Sequence, residues 1–290
     1  MACVSSLRSR LPALFLIIAF ITPALHAQEN DAKDSSRPVT GTYSLEIGHS
    51  RVLATYLSPL NYSGTSLGVS GYWSKALPFN PEKAIMEFKG DASMVSLLNP
   101  AHTAKMIGLL GDFSWGMSWR GKVGDNWQFT AGGDVSLYGG AYYLLRNGNN
   151  PVQAIVNASI DLVGSASYKF KIKKLPVLIS DRVQLPSLGI FFCPDYGETY
   201  YEIYLGNHAG LVHAGWWGNN FRIENLLSAT LDFGRTAMTI GYKLAVYTQW
   251  ANNLNTRVIT NSFVIGVVPG GIGLKKKQRE LPENIIYSIY

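Results

Sequence analysis

The stretch Phe113–Gly121, FSWGMSWRG, places a large apolar residue at every second position, and the pattern extends well beyond it. Ile107, Leu109, Phe113, Trp115, Met117, Trp119 and Val123 form one row, with Gly111 and Gly121 filling the gaps. Gly108, Asp112, Ser114, Gly116, Ser118, Arg120 and Lys122 form the other, interrupted only by Leu110. Side chains on a strand alternate between its two faces, so the pattern describes a strand with one oily face and one wet face. It runs for about 17 residues, whereas strands in ordinary globular sheets run for about 5–6.

The same alternation recurs along the chain. Tyr43, Leu45 and Ile47 oppose Thr42, Ser44, Glu46 and Gly48; Met86, Phe88, Ala92 and Met94 oppose Glu87, Lys89, Asp91 and Ser93. Phe129, Val135 and Leu137 oppose Gln128, Asp134 and Ser136, and Ile223, Leu227 and Leu231 oppose Arg222, Glu224 and Asp232. The wet face carries charges in mid-strand, aromatic residues recur near strand ends, and tight turns such as VGDNW alternate with longer polar connections such as LRNGNNPVQ. An apolar band, a polar lumen, aromatic girdles and unequal turns describe a transmembrane β-barrel. A bilayer offers no water to a sheet edge, so the sheet must close.

The reading is therefore an all-β chain, a closed antiparallel transmembrane β-barrel of about twelve strands. These are placed near residues 41–53, 65–76, 84–96, 107–123, 126–144, 154–172, 183–193, 198–206, 209–217, 221–233, 236–249 and 256–268. The count is least defined over 173–220, where ten or fourteen strands are the alternatives, and over 270–290, where NIIYSIY offers a closing strand ending at Tyr290. A secreted soluble β-sandwich remains the alternative, since mean hydropathy near zero (+0.06) suits both.

Arg8 and Arg10, the apolar run Leu11–Leu25 and the small Ala27 describe a secretory signal peptide over 1–27, cleaved near Ala27. The run is shorter than the roughly 20 residues that span a bilayer. Residues 28–40 read as a flexible lead-in and 41–290 as the barrel domain. Removing Arg8 and Arg10, with no acid among residues 1–27, lowers the net charge from +6 to +4. That balance is too mild and unclustered for nucleic acid. Cys3 leaves with the signal, so Cys193 is the mature chain's one cysteine and no internal disulfide is available. Cys193 reads as a structural thiol in an apolar stretch. No cysteine or histidine spacing suggests a metal site, and no cofactor is expected. Outer-membrane lipid is the expected surrounding, with a small-molecule permeant or ligand as a possible partner; the sequence gives no oligomeric state.

Glu46, Asp112 and Arg120 are candidate lumen residues, together with Glu87, Lys89, Asp91, Asp134, Asp161, Lys169, Arg222, Glu224 and Asp232. Buried charges must pair, so ion pairs lining a narrow pore or a plugged lumen are expected. In YGETYYEIYLGN, alternation places Glu198, Tyr200, Glu202 and Tyr204 on one face of a strand. That row suits either a lumen-facing ligand site or an aromatic girdle.

Hydrolytic chemistry would require a serine within hydrogen-bond reach of a histidine that a third group aligns. His49 and Ser50, beside Glu46, are weak candidates: strand neighbours point to opposite faces unless Gly48 marks a bulge. His208 and His213 follow Glu202, and Ser262 on a later strand is the serine they could meet. The function expected is non-enzymatic: a narrow pore, a ligand-binding barrel or a structural envelope protein. A phospholipase-like or deacylase-like hydrolase is the alternative.

Three stretches, YLSPLNYSGTSLGVSGYW (Tyr56–Trp73), YGETYYEIYLGN (Tyr196–Asn207) and NNLNTRVITNSFVIG (Asn252–Gly266), together resemble an uncharacterised family of outer-membrane-type barrel proteins of Bacteroides-like bacteria, known as a domain of unknown function. The resemblance covers about residues 40–275. It implies export and a barrel in the outer membrane of a Gram-negative cell, and it implies no activity and no catalytic residue.

Overall fold

The structure is a computed structural model that describes residues 37–274, 286 and 288. The expected signal peptide, most of the lead-in and the strand expected to end at Tyr290 lie outside the described residues. The elements are β1 (Thr40–Ala54), β2 (Ser58–Ala76), β3 (Ala84–Leu98), β4 (Lys105–Val123), β5 (Trp127–Leu144), β6 (Val152–Ile172), β7 (Leu175–Phe192), α1 (Tyr200–Tyr204), β8 (Val212–Trp216), β9 (Asn220–Asp232), β10 (Thr236–Ala251) and β11 (Leu254–Pro269).

Every strand pairs antiparallel with its neighbours in the order β6-β5-β4-β3-β2-β1-β11-β10-β9-β7, and β6 pairs with β7 to shut the ring. Among the described residues ten strands thus form a closed barrel, and β8 is an extra short strand. β9 follows the β7 edge over Val177–Gln184, and β8 takes up the same edge over Leu188–Phe192. Between them Pro186 lacks a donor for the ladder, and the Trp217 indole donates to the Pro186 carbonyl oxygen at 2.6 Å.

The alternation reads through into the walls. On β4, Leu109 is 66 % exposed and Trp119 53 %, while Asp112, Ser114, Ser118 and Arg120 of the alternate row are buried. Around the ring, Leu45, Ile47, Met94, Leu137, Ile160 and Phe263 also point outward and are exposed. An apolar surface of this extent is untenable in water and matches a lipid-facing band.

The chain has tight turns at 124–126 and 173–174 on the end where β1 begins, here the turn end. Connections over 99–104, 145–151 and 193–211 lie at the opposite, loop end.

The count of about twelve is corrected to ten in the ring plus β8. Of three local errors the last two account for it, and the first only delays the start of a strand. Residues 173–182 lack the glycine or asparagine of a usual turn, yet Lys173 takes φ +56° and lets β7 start at Leu175. Residues 198–206 are no strand: Thr199 Oγ1 accepts from Glu202 N at 3.2 Å and Glu202 Oε2 accepts from Thr199 N at 2.7 Å. This reciprocal capping box starts α1. The strand expected at 209–217 is the short β8, outside the ring.

Candidate functional site

The inner wall carries three layers from the turn end to the loop end. In the middle, Lys89 of β3 donates from Nζ to Asp112 Oδ2 of β4 at 3.1 Å, to Gln184 Oε1 of β7 at 3.2 Å and to Glu224 Oε1 of β9 at 2.5 Å. It also pairs with Asp91 Oδ2 at 3.2 Å. Arg222 of β9 donates to Asp112 Oδ2, and its guanidinium lies 4.5 Å from the Tyr138 ring centroid. Lys243 of β10 donates to Glu46 Oε1 of β1 at 2.6 Å and to Asp91 Oδ1 at 3.1 Å.

Four strands separate β3 from β9 whichever way the ring is followed, so the Lys89–Glu224 pair crosses the barrel on a diameter. The middle of the lumen is therefore bridged. Asp91, Asp112 and Glu224 offer oxygens within 4.8 Å of one another, a spacing suited to a metal ion. The Lys89 ammonium pairs with all three at 2.5–3.2 Å, so it occupies the place a cation would take.

Towards the loop end the lumen turns apolar. Val52, Tyr62, Leu97, Met106, Leu110 and Tyr142 belong to one buried cluster that faces inward. This corrects the expectation of a lumen polar throughout, and it explains Leu110, the one break in the wet row of β4. Tyr138 and Tyr247 meet across this level with ring centroids 5.3 Å apart.

The segment 193–211 folds over the mouth. Tyr56 in the β1–β2 turn donates to the Glu198 carbonyl oxygen at 2.7 Å, and Ala154 N donates to the Tyr200 hydroxyl at 2.7 Å. Asn252 Nδ2 reaches Cys193 O at 3.1 Å and Gly210 O at 3.3 Å. Burial, reinforced by Tyr200 and Glu198 nearby, pushes the Tyr56 hydroxyl up to about 12. Burial likewise pushes the Cys193 thiol up to about 11.

At the turn end, Arg120 donates from Nε to Glu82 O at 2.6 Å, from Nη2 to Pro81 O at 2.7 Å and from Nη1 to Ser288 O at 3.1 Å. It fastens the β2–β3 turn and Ser288 to the wall. Between this floor and the central bridge lies a cavity of about 160 Å³; a second, of about 80 Å³, lies on the loop-end side of the bridge.

Among the residues singled out from the sequence, Glu46 and Asp112 join the central bridge, and Arg120 stands on the inner wall at the turn end. Glu198, Tyr200 and Glu202 do not form a lumen row, because their segment is the cap with α1. Glu198 Oε1 accepts from Asn207 Nδ2 at 2.7 Å, and exposed Glu202 caps the helix.

His49 is exposed on the outer face, whereas Ser50 is buried inside with its Oγ 2.5 Å from Thr260 Oγ1. The β1 ladders run through Gly48 in register, so no bulge brings the two together. His208 is exposed on the cap, and His213 places Nε2 3.3 Å from Cys193 O with its ring stacked on Phe191. Among the described residues no hydrogen bond joins a histidine to a serine.

Lys243 and Arg182 were missed from the sequence. Both lie where alternation is weak: Lys243 within MTIGYKLAVY, and Arg182 just before the assigned start of its strand.

The closed ring, outward apolar band and charged interior define a transmembrane β-barrel of the outer-membrane type. The chain belongs to the family described as "Protein of unknown function (DUF3316)", which matches residues 13–278. No curated protein matches it. Among solved structures it is similar to the transport unit of the autotransporter AIDA-I from Escherichia coli, at 6 % identity over 87 % of this chain and 96 % of that one, with a TM-score of 0.40. It is similar to the outer membrane protease OmpT from Escherichia coli at 8 % identity, over 84 % and 99 %, TM-score 0.43. The beta domain of the Bordetella autotransporter BrkA matches at 10 % identity, over 80 % and 99 %, TM-score 0.39. Likeness at these levels transfers no residue role and no activity.

Proposed function

We propose that the protein is a non-enzymatic barrel of the Gram-negative outer membrane, closed to passive diffusion, with a ligand-binding or structural role in the envelope. The observation that carries this reading is the Lys89–Glu224 pair on a diameter of the ring, at 2.5 Å. A narrow pore would need these charges to stand apart, and here they meet. The separation of His49 from Ser50 onto opposite faces speaks against hydrolysis at that place.

Two experiments test the reading. Outer membranes from cells expressing the full chain are extracted and run on gels with and without boiling; a heat-dependent shift from that fraction is expected. The purified barrel is then placed in planar bilayers, where no steady conductance steps are expected. Stable ohmic steps from the unmodified chain would refute closure.

A further inference from the structure

We propose that the cavity in the turn-end half of the lumen binds a small oxyanion, a phosphate or a hydroxylated carboxylate, through Arg182. The inference rests on the closed-barrel reading above. The cavity measures about 160 Å³, and one of about 150 Å³ is known to hold a benzene-sized molecule. Its wall is rich in hydroxyls, among them Ser44, Ser70, Thr130, Ser165, Ser180 and Thr230. A wall of that chemistry is not a dry void.

The charged groups facing the cavity divide sharply. Glu46, Asp91 and Glu224 each have an ammonium group, Lys89 or Lys243, at close range. Glu87 accepts from the Tyr72 hydroxyl and from Ser118 Oγ at 2.5 Å. Arg182 alone among these cavity-lining groups has no such partner. Its nearest carboxylate contact is Nη2 to Glu87 Oε2 at 3.9 Å, and its buried Nε has no hydrogen-bond partner.

The guanidinium lies 5.0 Å from the Tyr72 ring centroid. Among the described residues no hydrogen bond from the guanidinium accompanies this contact. A buried guanidinium with unfilled donors is strongly unfavourable, and two oxygens of a carboxylate or phosphate match its fork. A cation is a poorer occupant, because each acid of the wall already holds a donor.

The test uses the full chain, exported and purified in detergent with its heat-dependent gel shift intact. Calorimetric titrations use inorganic phosphate, D-glycerate, and glycerol as a neutral match in size. Saturable binding of at least one anion is expected, with none for glycerol. Arg182→Gln should weaken the anion at least tenfold, and Arg182→Lys less. Ser44→Leu, which adds bulk to the cavity wall at a residue with no charged partner among the described residues, should weaken binding at least tenfold while the gel shift persists, and it decides the matter should Arg182→Gln fail to fold. Absence of saturable anion binding to the folded native chain overturns the proposal, as does unchanged affinity in Arg182→Gln or Ser44→Leu. A chain that stays closed in bilayers yet binds neither anion sinks this inference alone; one that conducts sinks the closed-barrel reading beneath it.

Discussion

Replacing Lys89 with methionine keeps most of the side-chain length and removes the ammonium. Asp91, Asp112 and Glu224 then face one another with oxygens within 4.8 Å. Arg222 still pairs with Asp112 and Lys243 is still shared between Glu46 and Asp91, so Glu224 is the acid left without an ion-pair partner. Two like charges at that separation repel by about 3.5 kcal/mol at an effective dielectric constant of about 20. Breaking a buried pair by removing one partner costs about 3–5 kcal/mol in practice, so Lys89→Met should destabilise the barrel by that amount. Urea unfolding in detergent, followed by tryptophan fluorescence, reads the change. In Lys89→Met/Glu224→Gln the uncompensated charge is gone, and at least about 2 kcal/mol should return as coupling energy in the double-mutant cycle. A single variant within about 1 kcal/mol of the parent, or strictly additive effects, would refute the idea that Lys89 holds the bridge.

Three further outcomes follow from the local geometry. Gly140 takes φ +150°, and a Cβ there would lie 2.0 Å from the Leu109 carbonyl oxygen, so Gly140→Ala should cost more than about 1 kcal/mol in the same urea assay. The Cys193 thiol, buried and shifted up to about 11, should resist iodoacetamide at neutral pH in the folded barrel and react fully once unfolded. The Tyr56 hydroxyl is raised to about 12 from 10. Its contribution to cap docking is therefore complete below pH 10 and lost as pH rises through 12, and proteolysis within 193–211 should accelerate over that window; Tyr56→Phe should flatten the dependence.

The ring was legible because period-two alternation survives in lipid-facing strands. Outward residues are mostly apolar there, so Glu46, Lys89, Asp112 and Glu224 stand out as the inward set. The same logic hid the loop-end layer. Met106, Leu110 and Tyr142 point inward but are apolar, so to a reader of alternation they look like faults rather than a plug. Lys243 and Arg182 escaped because Gly, Ala and Tyr around the one, and a glycine-free turn before the other, blur the contrast between faces. In the cap, Glu198, Tyr200 and Glu202 alternate as a strand would. The T-Y-Y-E box at Thr199–Glu202 was the competing signal, and it won because a segment outside the barrel has no ladder to join.

The layers stand in series, and that bears on how closure can be read. A solute crossing the barrel would meet the Arg120–Ser288 floor, the Lys89 bridge, the Leu97–Met106–Tyr142 cluster and the 193–211 cap in turn. Removing one barrier leaves the others, so conductance in a Lys89→Met chain should stay at the level of the parent even though its stability falls. The bridge and the plug also differ in kind. The apolar cluster gains from excluding water, whereas the ion pairs are stable only while every partner is present. Stability therefore depends most sharply on the middle of the lumen, and closure depends on the whole stack.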